Sequence, residues 1–435
     1  MPRRRITTER VVVGFVAAVY LAARFVPMIG TSPGTGADTG DYFTSSRLGL
    51  LSRDLWAGPR PALYPLLAKL TGRSYTTLFL VQACVAGVAW LALAWLAYTR
   101  LRNRAVAAST ALAVLFASLS LSIVEWDRVL STESLTISLG VILFVLGVLL
   151  AERPSRARAV CFAAVAGAWV LLRDTNGYVI VCIAIALVVA AIRSRARRPV
   201  FLAVAGALVV MFGAGVVSSD VGRRWEGPLK DVITIRVLTH PDRTHYMLER
   251  GLPLGKDERA RLAGHCAARY RPYFLCLPLT DARFYRWEST RGRSAYSSWL
   301  LSHPATALND PFRNSVLIFG TRVHADALTH YRFGPATFAD HIFFVRNQRA
   351  LLVEALLALA LLVAALRRRP HALAWAVLVA FGTIYPHMFV SWTFGALETT
   401  RHSLGASVTL AVCIVLAVGC AIDAFAIGRD RSVDV

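Results

Sequence analysis

A chain of 435 residues that is 56% hydrophobic and only 17% charged, with a mean hydropathy of +0.52, is too apolar for an ordinary water-soluble domain. Its formal charge of +22 comes mostly from arginine, and the arginines fall in short clusters between apolar stretches. That is the distribution membrane orientation demands, not the basic face of a nucleic-acid binder, so the reading is an all-α polytopic membrane protein with the lipid bilayer as a partner and no nucleic acid.

A bilayer core takes about 20 apolar residues per helix. Stretches of that kind run over 10–29, 75–99, 105–123, 134–151, 159–173, 177–192, 199–218, 349–366, 371–390 and 403–425, about ten spans. The first carries no small-residue cleavage site followed by a soluble chain, and is expected to stay as a helix. Every alternate connection is basic: Arg3 to Arg5, Arg100/Arg102/Arg104, Arg153/Arg156/Arg158, Arg193/Arg195/Arg197/Arg198, Arg367 to Arg369, and Arg429/Arg431. All six share one side if both termini are cytoplasmic, which makes the chain a multi-pass cell-membrane protein. The short fifth and sixth spans, broken at Arg173 to Gly177, are needed to keep that order.

The opposite side receives 30–74, 124–133, 173–177, 219–348 and 391–402. Asp38, Asp41, Asp54, Glu125, Asp127, Glu133, Asp174 and Glu398 lie at these outward ends. Acids contribute little to orientation, so their gathering there suggests an outward-facing polar cavity. The first outer loop, Gly36 to Pro65, reads GADTGDYFTSSRLGLLSRDLWAGPRPALYP. Leu48, Leu51, Leu55 and Trp56 recur at helical spacing, which predicts an interfacial helix over 43–56. Pro59 and Pro61 then set a turn, and a second interfacial helix is expected over Ala62 to Leu70.

Residues 219–348 lack a spanning stretch and have the size of a small extracytoplasmic domain. The organisation is therefore a membrane module at 1–218 with its outer loop at 30–74, the domain at 219–348, and a second membrane module at 349–435. Within the domain, helices are expected at His265 to Tyr273 and Ser294 to Ser302, and a strand at Val232 to Leu238. It carries 19 Lys/Arg against 12 Asp/Glu over 219–346, which suits an anionic polymer or lipid headgroups. Trp287, Tyr296 and Trp299 are either core or sugar-stacking residues. Cys266 and Cys276 lie on the oxidising side and are a candidate disulfide pair, whereas Cys84, Cys161, Cys182, Cys413 and Cys420 fall in spans as small apolar residues. No zinc-site spacing, phosphate loop or nucleophile elbow is present in the sequence.

Asp38 sits in a Gly/Thr-rich loop that leaves the membrane and turns back along it, a good place for a general base that meets both a lipid-borne and a water-borne substrate. Asp41, Asp54, Asp127 and Asp174 are more simply helix caps or structural ion-pair partners. Arg60, Arg128, Arg173 and Arg401 map to the same boundary from four different connections. Their planar, permanently charged forks suit a lipid phosphate, and snorkelling to headgroups is the competing reading for each. Arg24, inside the first span, is a snorkelling residue or a partner for one of the acids.

The order ADTGDYF, RPALYP, VLSTESL, LLRDTNGY and TTRHSLGAS, placed around this ladder of spans, resembles the GT-C superfamily of membrane glycosyltransferases, which use polyprenyl-phosphate-linked sugars. The resemblance covers about two-thirds of the chain and does not reach 219–348. It implies a common module of seven spans followed by a variable one, and a catalytic acid in the first outer loop. Asp38, at its spacing from Tyr42, matches that acid best, with Asp41 as the competitor. Arg60, Glu133, Arg173 and Arg401 fall where the family's polar residues lie. LLRDTNGY lacks the proline expected after the arginine, and TTRHSL has His402 where an aromatic residue is commoner, so Arg173 and His402 are matched less well than Asp38.

The resemblance thus implies an inverting transfer of a hexose or pentose from a polyprenyl-phosphate sugar to a glycan, lipid or protein acceptor on the outer face, with Asp38 as base and arginines on the leaving phosphate. A divalent metal on Asp38, Asp41 and Glu133 is conceivable, but members that use single-sugar lipid donors follow a metal-free pattern, so no cofactor is expected. The alternative class is a transporter or flippase of a lipid-linked or anionic substrate. It would call for polar residues at the midplane and for repeat symmetry, and the sequence has neither.

Overall fold

Residues 2–36, 38–255, 282–319, 334–344, 347–396 and 399–430 are described in the computed structural model. Polar residues ahead of several apolar runs start the helices: Ser74, Asn103, Ser155, Asn347 and His371 each accept a backbone N–H of the following first turn, satisfying donors that would otherwise be stranded. Among the described residues, eight helices are long and apolar enough to cross a membrane: Thr8–Met28, Tyr75–Arg100, Thr132–Glu152, Asp174–Arg193, Arg195–Val221, Arg349–Arg368, Ala372–Phe394 and Leu404–Ala426. Arg104–Ser118 and Leu121–Arg128, bent by 57° at their break, make a ninth if they count as one span. All ten expected stretches are helical; the remaining one, Arg156–Val170, has 15 residues, too short by itself to cross the apolar core.

In chain order the elements are α1 (Pro2–Phe25), β1 (Gly34–Thr35), α2 (Thr39–Ser45), α3 (Arg53–Ala57), α4 (Leu63–Leu70), α5 (Tyr75–Arg100), α6 (Arg104–Ser118), α7 (Leu121–Val124), β2 (Val129–Leu130), α8 (Thr132–Glu152), α9 (Arg156–Val170), α10 (Asp174–Arg193) and α11 (Arg198–Val221). The segment that follows holds α12 (Glu226–Val232), α13 (Pro241–Glu249), α14 (Ala282–Trp287), α15 (Arg293–Ser302), α16 (Pro304–Arg313), α17 (Ser315–Phe319) and α18 (Gly334–Phe343). The chain ends with α19 (Gln348–Arg368), α20 (Ala372–Phe394), α21 (Thr399–His402) and α22 (Leu404–Asp430).

The basic connections gather on one face. Arg100 pairs with Glu152, Arg197 donates to the Ala151 carbonyl, Asp423 accepts from the Arg102 and Asn103 amides, and Arg104 pairs with Glu9. Short as it is, α9 starts on this face, where Arg158 donates to Leu149 and Arg153 carbonyls, and ends beside Glu133, which Arg173 reaches. The alternation read from the arginines is therefore geometrically coherent.

Two expected elements differ. Residues 43–56 are not one helix: α2 stops at Ser45, α3 begins at Arg53, and the link is turned back by Ser46, Gly49 and Ser52. Lys69 from α4 donates to the Ser46 and Leu48 carbonyls, replacing the helical partners those groups would need. The second interfacial helix forms as expected, at Leu63–Leu70. Val232 to Leu238 is not a strand but the end of α12 running into a π turn, Ile233–Val237. Val232, Ile233 and Val237 go into one apolar cluster with Leu229, Phe284, Trp287, Tyr296 and Trp299, and burial overrides the β preference of branched residues. Trp287, Tyr296 and Trp299 are thus core. Ser294 to Ser302 is helical within α15, while His265 to Tyr273 and the Cys266/Cys276 pair lie outside the described residues. The described cysteines are free thiols.

Candidate functional site

A two-residue parallel bridge brings the first outer loop to the entrance of α8: β1 pairs with β2, Gly34 opposite Val129 and Thr35 opposite Leu130. Thr39 tightens it by donating to the Leu130 carbonyl at 2.8 Å while accepting the Gly36 amide at 2.9 Å. Gln82 of α5 holds the other strand, its amide donating to the Asp127 and Val129 carbonyls at 2.8 and 2.7 Å, and Tyr64 donates to Gln82 in turn. Asp38, just before α2, is in this way set beside Glu133, in the first turn of α8.

The two acids are joined by arginines. Asp38 Oδ1 accepts from Arg60 Nη2 at 2.7 Å, and its Oδ2 accepts from Arg401 Nη2 at 2.8 Å. Arg401 Nε reaches Glu133 Oε1 at 2.6 Å, and Arg173 Nη2 reaches the same oxygen at 3.0 Å. The result is a continuous chain, Arg60–Asp38–Arg401–Glu133–Arg173, drawn from five separate stretches of sequence. Its inner end is closed: the Glu133 side chain is fully enclosed, whereas Asp38 is 21% exposed. Such inward carboxylates persist only with compensating cations, and here the cations are present.

Asp41 lies outside this chain. It accepts from Arg60 at 2.6 Å and is 60% exposed, so it braces Arg60 from the solvent side. Tyr42 is buried, its ring 4.7 Å from that of Tyr64. Burial first, and then the charges of Asp38 and Glu133, push its phenol up to about 12, so it stays protonated. Arg128 is buried in the 3₁₀ turn Glu125–Arg128 that leads into α8. His402 is held well below its ordinary range by burial, reinforced by Arg173 and Arg401, so it is neutral and brings no positive charge to a phosphate. Arg24 is the partner of an acid: fully buried, it pairs with Asp127, which Ser134 also donates to.

Several positioning contacts left no mark in the local sequence. Arg224 pairs through two nitrogens with Asp174 at 2.9 and 3.0 Å and donates to the Gly58 carbonyl at 3.2 Å, fastening the turn that carries Arg60. Gly222 lies under the same turn, and a Cβ there would meet the Gly58 oxygen at 2.2 Å.

Beneath the cluster, α8, α9, α10, α20 and α22 line an open-sided cavity of about 980 Å³ with a mainly apolar lining. At one end it reaches Thr136, one turn along α8 from Glu133, with His387 and Gly405; at the other it reaches Arg193, Arg197 and His371. Gly140 and Gly147 widen it by leaving α8 without side chains opposite Trp169 and Phe162. Among the described residues, no group of three or more His, Cys, Asp or Glu is arranged to hold a metal ion.

No protein-family model and no curated protein sequence matches the chain. Among solved structures it is similar to the archaeal oligosaccharyltransferase AglB from Archaeoglobus fulgidus in complex with an inhibitory peptide and a dolichol-phosphate, at 12% identity and a TM-score of 0.46, over 98% of this chain and 52% of that one. It is likewise similar to the apo form of the Archaeoglobus fulgidus oligosaccharyltransferase, at 12% identity and a TM-score of 0.46, over 97% of this chain and 51% of that one. The chain spans about half the length of the solved structures it matches.

Proposed function

We propose that the chain is an inverting glycosyltransferase that moves a hexose or pentose from a polyprenyl-phosphate donor to an extracytoplasmic acceptor, a glycan, lipid or protein of the cell envelope. The observation that carries the reading is the run Arg60–Asp38–Arg401–Glu133–Arg173 at the ends of the spans: a carboxylate suited to a base, flanked by cations suited to a phosphate. The apolar cavity below it suits the isoprenoid tail. The ladder of basic connections supports an orientation with both termini cytoplasmic and the site outward.

Without donor, both Asp38 oxygens accept from arginine. A phosphate diester carries one negative charge and competes for the same forks. When Arg401 turns to the phosphate, Asp38 Oδ2 is released to accept a proton. The acceptor hydroxyl then gives its proton to Asp38 as its oxygen bonds to the anomeric carbon from the face opposite the phosphate. The carbon–oxygen bond to the phosphate breaks, its electron pair leaves on the polyprenyl phosphate, and the centre inverts. Arg401 and Arg173 stabilise the charge that develops on that oxygen, while Glu133 keeps both arginines in place. The leaving anion is stable, so no general acid is required, and the arginines supply the positive charge a metal would otherwise bring.

The test is transfer by the purified protein in lipid nanodiscs, with a panel of polyprenyl-phosphate sugars. Asp38→Asn should lower kcat by about 10²- to 10⁴-fold, the ordinary contribution of a general base. Asp41→Asn, which removes only an exposed brace on Arg60, should stay within about tenfold. Full activity of both variants would refute the base assignment. If no donor is consumed while lipid crosses between leaflets, the protein is a transporter.

A further inference from the structure

Arg401 is the hinge of the cluster, yet it sits in a single helical turn, α21, between two long helices. Ser391 of α20 donates to the His402 carbonyl at one end of that turn, and a second hold comes from the extracytoplasmic domain. Arg236, in the π turn Ile233–Val237, is buried and donates through Nη2 to the Gly395 carbonyl at 3.0 Å and to Thr399 Oγ1 at 2.7 Å. Its guanidinium lies 3.5 Å from the centre of the Trp392 ring. Gly395 follows the end of α20 and Thr399 opens α21, so one planar group ties both sides of the link that delivers Arg401. Thr399 and Arg401 are two residues apart in the same turn.

We infer that Arg236 is a positioning residue, through which the extracytoplasmic domain sets Arg401 against Asp38 and Glu133; the inference rests on the function proposed above. The π turn is the means. One extra residue in the helical ladder re-aims a side chain, and such turns recur where a side chain must be presented at a site. The anchor of the π turn is firm, because Ile233 and Val237 are buried in the domain core. Lysine cannot reproduce the arrangement: its ammonium can donate twice, but it lacks the flat guanidinium face that lies on the Trp392 indole while Nη2 makes both bonds.

A different contact supplies the control. Tyr296 donates to the Thr393 carbonyl at 3.0 Å, a hydrogen bond that joins the same domain to α20. If Arg236 served only to dock the domain, removing either contact would act alike.

The experiment compares wild type with Arg236→Met, Arg236→Lys, Thr399→Val and Tyr296→Phe, measuring thermal midpoint and the separate kcat and KM of transfer from a polyprenyl-phosphate sugar. Misplacement of a charged group by about 1 Å lowers rates by about 10²-fold, which is the loss expected for Arg236→Met, in kcat more than in KM. Thr399→Val should show a smaller loss of the same kind, and Arg236→Lys little rescue. Tyr296→Phe should transfer at the wild-type rate. Wild-type kinetics in both Arg236→Met and Thr399→Val would overturn the inference while leaving the proposed transfer intact. So would equal losses in Thr399→Val and Tyr296→Phe that follow their thermal midpoints. A wild-type protein that consumes no donor would overturn both.

Discussion

Replacing Glu133 by glutamine takes one charge from an enclosed cluster and keeps its shape. In the native protein, Glu133 Oε1 accepts from Arg401 at 2.6 Å and Arg173 at 3.0 Å, with the three side chains 0%, 8% and 13% exposed. Breaking a buried ion pair by removing one partner costs about 3–5 kcal/mol, since the remaining charge is left without compensation. Here the low end applies: the glutamine oxygen has lone pairs for both arginines, and Arg401 keeps the Asp38 charge at 2.8 Å, so the lost charge falls mostly on Arg173. Glu133→Gln should therefore lose about 3 kcal/mol, read as a fall in thermal midpoint on the order of 5 °C. Transfer should fall about 10²-fold, because Arg401 is then drawn to Asp38 alone and leaves the phosphate position. The double variant with Arg401→Met should be less destabilised than the sum of the single variants, as expected for two partners that share a contact. A Glu133→Gln protein that loses less than about 1 kcal/mol, the scale of a solvated surface pair, and retains its transfer rate would refute the closed-cluster argument.

Two further predictions concern the surroundings. Gly222→Ala, just past the end of α11, puts a Cβ 2.2 Å from the Gly58 carbonyl oxygen and 2.8 Å from that of Ala57, so the turn ahead of Arg60 must shift; transfer should fall at least about tenfold, while Gly206→Ala within α11, with open space around it, should be neutral. Asp231 and Glu288, in the segment between α11 and α19, are buried, and desolvation pushes each carboxyl up to about 7, with Glu226 and Asp231 adding to the effect on Glu288. Unfolded carboxyls titrate near about 4, so the folded domain holds more protons between about pH 4 and pH 7, and stability should fall as pH rises through that window. Thermal midpoints measured from pH 5 to pH 8 should show this decline, and the Asp231→Asn/Glu288→Gln protein should lack it.

The elements that the sequence made legible are those whose cause is local. Apolar length and basic connections revealed each membrane helix, and the Pro59/Pro61 turn with the helix after it followed from backbone chemistry. Where the cause was distant, the local pattern misled. The periodicity over 43–56 did not include Lys69, which takes the carbonyls that a helix would have used. The branched run at 232–238 did not reveal that it would be buried all round. Trp287, Tyr296 and Trp299 read as core more readily than as a stacking surface, and their burial bears that out.

The same division runs through the site. Sequence alone placed Asp38, Arg60, Glu133, Arg173 and Arg401 at one membrane boundary, because the position of a residue relative to an apolar stretch fixes its depth. Depth is one coordinate. Which residues meet within that plane depends on how the helices pack around one another, and only the tertiary structure decided that Asp38 lies between Arg60 and Arg401, that Asp41 stays outside, and that Glu133 closes the cluster. Arg236 shows the limit most clearly: its contacts to Gly395 and Thr399 join residues about 160 positions apart, and no local pattern encodes such a distance.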